Sequence, residues 1–212
     1  MADLEFFFDP VCPFAWVTSR WVAEVQALRG YEVRWRFIAL SVLNEKQTAE
    51  WYTEGYRAAH MAGMMSLRVA DAVRLHHDND AVSRLYTVLG TAIHVDQRRA
   101  EITADPEAFL AWALAEANCD VSLASAAVDD SHDAYIRADT ALALERTGKD
   151  VGTPIITFNP DSESSSSFFG PVISKTPRGD DALRLWDAIE VLATTSGLSE
   201  LKRSNRAALD FS

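Results

Sequence analysis

The sequence predicts an α/β chain with a strand–helix–strand start, a strand–strand–helix finish and a long helical stretch between them. Three observations carry this. The apolar run Leu4 to Phe8 and the alternating run Tyr31 to Phe37 flank a segment with helical spacing. From about Glu45 to Lys149 no convincing strand pattern occurs. Strand patterns return at Pro154-Ile155-Ile156-Thr157-Phe158.

Leu4-Glu5-Phe6-Phe7-Phe8 is nearly continuous apolar and stops at Asp9-Pro10, the pattern of a strand buried on both faces. Pro13 stands where a first helical turn would begin, a place where a missing N–H costs nothing. Trp16, Val17, Trp21, Val22, Val25 and Leu28 follow at helical spacing, and Gly30 is the expected C-cap. Tyr31, Val33, Trp35 and Phe37 alternate with Glu32, Arg34 and Arg36, which is the period of a strand. The first 40 or so residues therefore read as a βαβ unit. In the middle, Val82, Leu85, Tyr86, Leu89 and Ile93 keep one helical face. Asp105 is expected to cap a helix with Pro106 at its first position. Tyr135, Ile136, Asp139 and Leu142 predict another helix, ending near Gly148. After the returning strand, Asn159-Pro160-Asp161-Ser162-Glu163 and four serines predict a polar hairpin loop, and Phe168-Phe169 leads to Gly170-Pro171. Thr176 is expected to cap a last helix with Pro177 at its first position, lined by Leu183, Leu185, Trp186, Ile189 and Leu192. Residues 202–212 are polar and expected to fray. This order is that of a thioredoxin-like core, residues 1–44 and 150–212, with an all-helical domain inserted at 45–149. A doubly wound fold is the alternative and would need further strands in the middle.

At 212 residues and 23.5 kDa the chain makes one domain, or one domain with a large insertion. It can build a core without staples. With 48% apolar and 24% charged residues, long disorder and collagen-like repeats are excluded. The net charge of −11 repels phosphate backbones, so nucleic acid is not an expected partner. Two cysteines exclude a disulfide framework and a Cys-rich metal cluster. Met1-Ala2-Asp3-Leu4-Glu5 lacks the basic start of a signal peptide, and no run approaches the ~18 apolar residues of a membrane span. The expected location is therefore cytoplasmic, where thiols stay reduced.

Cys12 is the first candidate for chemistry. It sits between a strand end and a helix start, in Asp9-Pro10-Val11-Cys12-Pro13-Phe14-Ala15-Trp16. There a thiol meets unsatisfied N–H groups and the positive end of the helix dipole, both of which favour thiolate. The competing reading is a buried cysteine acting as a small hydrophobe. Thr153-Pro154 is the second candidate. From the dipeptide alone a trans bond is expected, and the fold reading reverses that. With a cis bond, the Thr153 backbone would turn outward beside the thiol and could pair with an extended substrate or a thiol cofactor. Cys119, beside Asp120, reads as structural or incidental. Adjacent His76 and His77 point about 100° apart on a helix, and His60, His94 and His132 lack ligand spacing, so no metal is expected. Met61, Met64 and Met65 read as core or as a pocket lining. Lys175 and Arg178 read as solvated helix-end charges, with a cofactor carboxylate as the alternative partner. Gly-rich phosphate loops are absent, so no nucleotide cofactor is indicated.

Cys12-Pro13-Phe14-Ala15 after a strand, the helical insertion, and Val151-Gly152-Thr153-Pro154 before a strand resemble the DsbA-type thioredoxin-like family. The likeness tightens toward the mycothiol-dependent nitroreductases at Phe8-Asp9-Pro10-Val11-Cys12-Pro13, Thr18-Ser19-Arg20-Trp21, Leu43-Asn44-Glu45 and Phe169-Gly170-Pro171-Val172. Ser174-Lys175, Pro177-Arg178-Gly179 and Glu200-Leu201-Lys202-Arg203 extend it, and Leu85-Tyr86-Thr87, Gly90 and Ile93-His94 carry it into the helical block, so that it covers most of the chain. The resemblance implies a helical lid over the active-site cysteine and a cytosolic reductase fed by mycothiol, a low-molecular-weight thiol. It implies Cys12 as nucleophile and Pro154 as the cis-proline, with Pro13, Phe14, Asn44, Tyr52, Gly152 and Thr153 around the substrate or thiol. A homodimer is left open.

The family's second active-site cysteine is Ala15 here. A CxxC disulfide cannot close, and a thiol–disulfide reaction stops at a mixed disulfide unless another thiol attacks it. The expected activity is thus a monothiol oxidoreductase acting on disulfides or small electrophiles. One alternative is an S-transferase or isomerase like the kappa-class glutathione transferases and 2-hydroxychromene-2-carboxylate isomerases, where the bound cofactor's sulfur reacts. The other is a non-catalytic ligand-binding module.

Overall fold

The structure is a computed structural model that describes residues 2–211. Its sheet has four strands in the order β2-β1-β3-β4, with β1 Leu4–Phe8, β2 Val33–Phe37, β3 Ile155–Phe158 and β4 Ser166–Phe169. β1 runs parallel to β2, with Phe6 opposite Trp35, and antiparallel to β3, with Phe6 opposite Ile156. β3 and β4 form the antiparallel hairpin. Helix α1 (Pro13–Arg29) makes the β1-to-β2 crossover and ends on Gly30, whose φ of 69° suits a residue without Cβ. Between β2 and β3 come α2 (Leu40–Leu43), α3 (Glu54–His76), α4 (Asn79–Gly90), α5 (Arg99–Ala104), α6 (Pro106–Glu116) and α7 (Asp133–Thr147), with no strand. A π turn at Thr91–Val95 and 3-10 segments at Val121–Val128 and Asp130–His132 complete that stretch. α8 (Gly179–Thr194) closes the core. This is a thioredoxin-like α/β core carrying a large helical insertion.

β1 is wholly buried because helices cover both faces of the sheet. Leu4, Phe6 and Phe8 join Trp16, Trp21, Trp35, Tyr86 and Trp186 in the main core, while Phe7 packs with Ile38, Ala143 and Ile155 on the α7 side. Each of the three phenylalanines contributes about 1.5–3 kcal/mol of burial. Trp21 also donates its indole N–H to the Ala182 carbonyl at 2.9 Å, which ties α1 to α8.

Glu5 breaks the apolar reading of β1, for its side chain is fully buried. Its carboxylate accepts from Arg34 at 2.8 Å, Arg36 at 2.9 Å and Arg146 of α7. Burial alone would raise this carboxyl, but the arginines outweigh it and hold it below the usual range. Arg36 also pairs with Asp139, whose other oxygen accepts the Phe37 N–H at 3.1 Å, so α7 is fastened to β2.

The insertion docks through two glycines. A Cβ on Gly63 of α3 would lie 2.5 Å from Asp9 Oδ1, and one on Gly90 of α4 would lie 2.1 Å from Trp16 Cε3. No larger residue fits either contact, so both helices approach the start of α1 at backbone distance. On the sheet's open edge, Asn79 accepts the Trp35 N–H at 2.9 Å and donates to the Val33 carbonyl at 2.7 Å, covering β2 as a strand would.

Three expectations need correction. The last helix starts at Gly179, because the Glu24 carboxylate on α1 accepts from the Gly179 N–H and the Arg178 guanidinium, both at 3.1 Å. Thr176, expected as its cap, sits at 3.5 Å from the Val17 carbonyl. Ser166 and Ser167 belong to β4 and not to the hairpin loop. The far end of the C-terminal segment, expected to fray, is seated, since Phe211 stacks on His94 and the Asp210 N–H donates to the Ser174 carbonyl at 2.7 Å; Ser212 lies outside the described residues.

Glu5→Ala removes the buried carboxylate that three guanidinium groups share, leaving Arg36 on Asp139, Arg34 on Asp161 and Arg146 without a carboxylate, and is expected to cost about 3–5 kcal/mol in denaturant unfolding at neutral pH. Because the folded carboxyl is depressed, its stabilisation is present above the unfolded pKa and fades as pH falls through the folded one. The variant's deficit should therefore shrink in acid. A cost below about 1 kcal/mol at neutral pH would contradict the account of this cluster.

Candidate active site

Cys12 is the N-cap residue of α1 (φ −80°, ψ 112°), with Pro13 in the first helical turn. Its Sγ accepts the Ala15 N–H at 3.5 Å and its carbonyl accepts the Trp16 N–H at 3.0 Å. The Sγ–H points at the Thr153 carbonyl, 3.7 Å away. The Thr153 hydroxyl donates to the Phe7 carbonyl at 3.4 Å, so this loop is pinned to β1. The Thr153–Pro154 and Gly170–Pro171 peptides are both cis. The Pro154 carbonyl accepts the Gly170 N–H at 2.9 Å, and the Pro171 carbonyl accepts the Thr18 hydroxyl at 2.9 Å. Two proline loops thus converge on the start of α1.

Asp9 holds the cysteine loop from below. One carboxylate oxygen accepts the Val11 N–H at 3.0 Å and the other accepts the Leu40 N–H at 2.8 Å. The Asp9 carbonyl accepts the Cys12 N–H at 3.0 Å. His94, from the π turn, donates Nε2–H to the Pro10 carbonyl at 2.8 Å; a carbonyl only accepts, so the proton sits on that nitrogen. Burial pushes His94 down to about 4, which keeps the ring neutral.

The ionisation of Cys12 departs from the expected thiolate. The residue is 6% exposed. Burial pushes its thiol up to about 12, against the pull of the Ala15 and Phe14 N–H groups, and the nearby Asp9 charge adds to the rise. The helix start does favour the anion, but a thiolate stripped of water loses more than those groups return. Burial likewise raises Asp9 to about 7, with the Leu40 and Val11 N–H groups opposing.

The described contacts bring Cys12, Pro13, Thr153 and Pro154 together. Phe14 stands half-buried beside them under the Arg206 guanidinium, 5.2 Å from its ring centroid. Gly152 is half-buried, and a Cβ there would meet only Phe169 at 3.9 Å. Asn44 turns its amide onto the Leu40 carbonyl at 2.9 Å, closing α2. Tyr52 is buried with its hydroxyl 3.0 Å from His60 Nδ1, one turn before Gly63 on α3. Cys119 directs its Sγ at the Ala117 carbonyl, and both cysteines are free thiols. Sequence reasoning passed over Asp9, Gly63, Gly90 and His94 as site residues. Asp9 carried a signal inside the Asp9-Pro10 motif, and Gly90 and His94 carried one in the resemblance across the helical block; Gly63 carried none.

Near pH 8 an ionised Asp9 opposes the Cys12 thiolate. In a Cys119→Ser background, Asp9→Asn is expected to speed Cys12 alkylation at that pH by about threefold or more. An unchanged or slower rate would show that the carboxylate acts on the loop alone.

The family model described as Rv2466c-like, mycothiol-dependent nitroreductase Rv2466c, matches residues 11–203. A relative from Mycobacterium tuberculosis, the uncharacterized protein Rv2286c, is 28% identical over 205 residues, covering 96% of this chain and 82% of its own. Among solved structures, the probable DsbA oxidoreductase SCO1869 from Streptomyces coelicolor superposes with a TM-score of 0.59 at 17% identity, over 96% of this chain and 94% of that one. The cytosolic disulfide reductase DsbM from Pseudomonas aeruginosa superposes with a TM-score of 0.58 at 16% identity, over 89% and 98%. These likenesses establish a shared DsbA-like fold. With nearly its whole length matched, the chain belongs to the Rv2466c-like family of thiol-dependent oxidoreductases.

Proposed function

We propose that this protein is a monothiol oxidoreductase that works with mycothiol or a similar low-molecular-weight thiol on disulfides or small electrophiles. The observation that carries it is the placement of Cys12 Sγ between the Ala15 N–H and the Thr153 carbonyl at the start of α1. Family membership supports the thiol cosubstrate. Ala15 stands where a second cysteine would close the motif, and Cys119 faces its own loop, so the second thiol comes from outside the chain. Phe14, Gly152, Thr153 and Pro154 would touch the partner, Pro13 would fix the turn, and Asn44 and Tyr52 would wall the insertion side. The units are taken as 1–44 with 150–212, and 45–149 as the lid.

The residues fit a small thiol carrying an amide, since the sulfur faces a backbone carbonyl that can accept from it. The cycle consists of two exchanges. In the first, Cys12 loses its proton and its thiolate attacks the low-molecular-weight side of a mixed disulfide. The new bond joins Cys12 to that thiol, and the other sulfur leaves as a thiolate that takes up a proton. In the second, a free low-molecular-weight thiolate attacks the non-protein sulfur, and Cys12 leaves reduced. Overall, one mixed disulfide and one free small thiol become the partner's free thiol and a disulfide of the two small thiols; the count of disulfide bonds is unchanged, and the incoming thiol supplies the reducing equivalent. That supply requires a reducing compartment, so the reading places the protein in the cytoplasm. No described helix is long and apolar enough to cross a membrane.

One observation favours a second reading. A buried Cys12 pushed up to about 12 is not poised as an anion. In a transferase or isomerase the sulfur of a bound thiol would react instead, and Cys12 would only orient it.

Incubation with oxidised mycothiol is expected to add one mycothiol mass to the wild type and none to Cys12→Ser. No adduct on either protein would sink the monothiol cycle. Thiol-dependent turnover that survives Cys12→Ala would transfer the assignment to the second reading.

A further inference from the structure

We infer that residues 206–211 form a latch across the Cys12 cleft, tying the helical insertion to the core, which a thiol partner must displace. The inference rests on Cys12 as the reactive site, but its test reads access to the sulfur and not turnover. The two can therefore fail separately.

Beyond the end of α8 the chain runs from residue 198 to 211 without helix or strand. Residues 199–208 are exposed, and 209–211 at the far end are half-buried. An exposed strap with a seated far end is what a removable closure requires. The seat is aromatic. Phe211 stacks on His94 with ring centroids 5.7 Å apart and planes at 27°, and His94 stacks in turn on Trp16 at 6.1 Å. His94 belongs to the insertion and holds the Pro10 carbonyl at 2.8 Å, two residues before Cys12. Arg206 lies over Phe14, two residues after Cys12. The strap therefore engages both flanks of the cysteine loop.

Its anchor on the core is polar. The Asp210 N–H donates to the Ser174 carbonyl at 2.7 Å, and the Asp210 carboxylate lies 3.3 Å from Lys175 Nζ. Lys175, expected to be a solvated charge or to meet a cofactor's carboxylate, meets the chain's own Asp210 instead. Contacts to Phe14, to His94 and to the 174–175 loop together span core and insertion. On the strap's own side Arg206 is exposed and Asp210 and Phe211 are half-exposed, so the strap can lift from the buried His94 ring locally without unfolding the protein.

The test compares two thiols in one protein. Cys12 alkylation is timed in Cys119→Ser, and Cys119 alkylation in Cys12→Ser, each with and without the pair Arg206→Ala and Phe211→Ala. The latch predicts that the pair speeds Cys12 about tenfold or more while Cys119 stays within about twofold, because local opening frees only the cleft. Phe211→Tyr keeps the ring and should keep the slow Cys12 rate. An unchanged Cys12 rate overturns the inference. So does an equal rise at both cysteines, which would mean general loosening.

Discussion

The Asp9 carboxylate is the constraint on which the rest of this site depends. It is buried at the point where β1 ends, and each oxygen holds one backbone N–H, Val11 in the cysteine loop and Leu40 at the exit of β2. One side chain thereby joins two strands' ends before either enters its helix. Gly63 lets α3 approach to the same carboxylate at backbone distance. The loop that carries Cys12 is therefore clamped from the core and from the insertion at once. A charge is a costly clamp in such a place, and its upward shift to about 7 shows that burial dominates over the two N–H bonds.

The same competition governs the thiol. A cysteine at a helix N-terminus gains from the dipole and from free N–H groups. Those gains are fixed by local geometry, and here the geometry is in place. Desolvation depends on what covers the site, and here the cover is nearly complete. In the closed form burial wins and Cys12 is a neutral thiol. Admitting water or a polar partner removes the larger opposing effect and leaves the helix start as it is. On the latch inferred above, reactivity follows opening.

Much of the core was legible because its signals are local. Pro13, Gly30, Asp105 with Pro106, and the alternation through Trp35 each mark a boundary that a few neighbouring residues decide. Cys12 and Thr153-Pro154 were legible as a pair through their places at strand and helix ends. What was missed is nonlocal. Glu5 reads as a polar interruption until Arg34, Arg36 and Arg146 arrive around it. The need for glycine at 63 and 90 is set by Asp9 and Trp16, which press against them from distant parts of the sequence. The start of α8 was misplaced because its cap is Glu24, on a different helix. The polar tail read as frayed because its seat, His94, lies more than a hundred residues away in sequence. The thiolate expectation failed for the same reason, since a helix start is visible in a sequence and its cover is not.

The most direct test of this account is a pH titration of thiolate absorbance in the reduced Cys119→Ser protein, so that Cys12 alone reports. The account predicts no thiolate through neutral pH and a midpoint well above the ~8.5 of free cysteine, toward the value of about 12 that burial imposes. A midpoint below ~8.5 would contradict it, because the helix start would then outweigh desolvation in the resting protein.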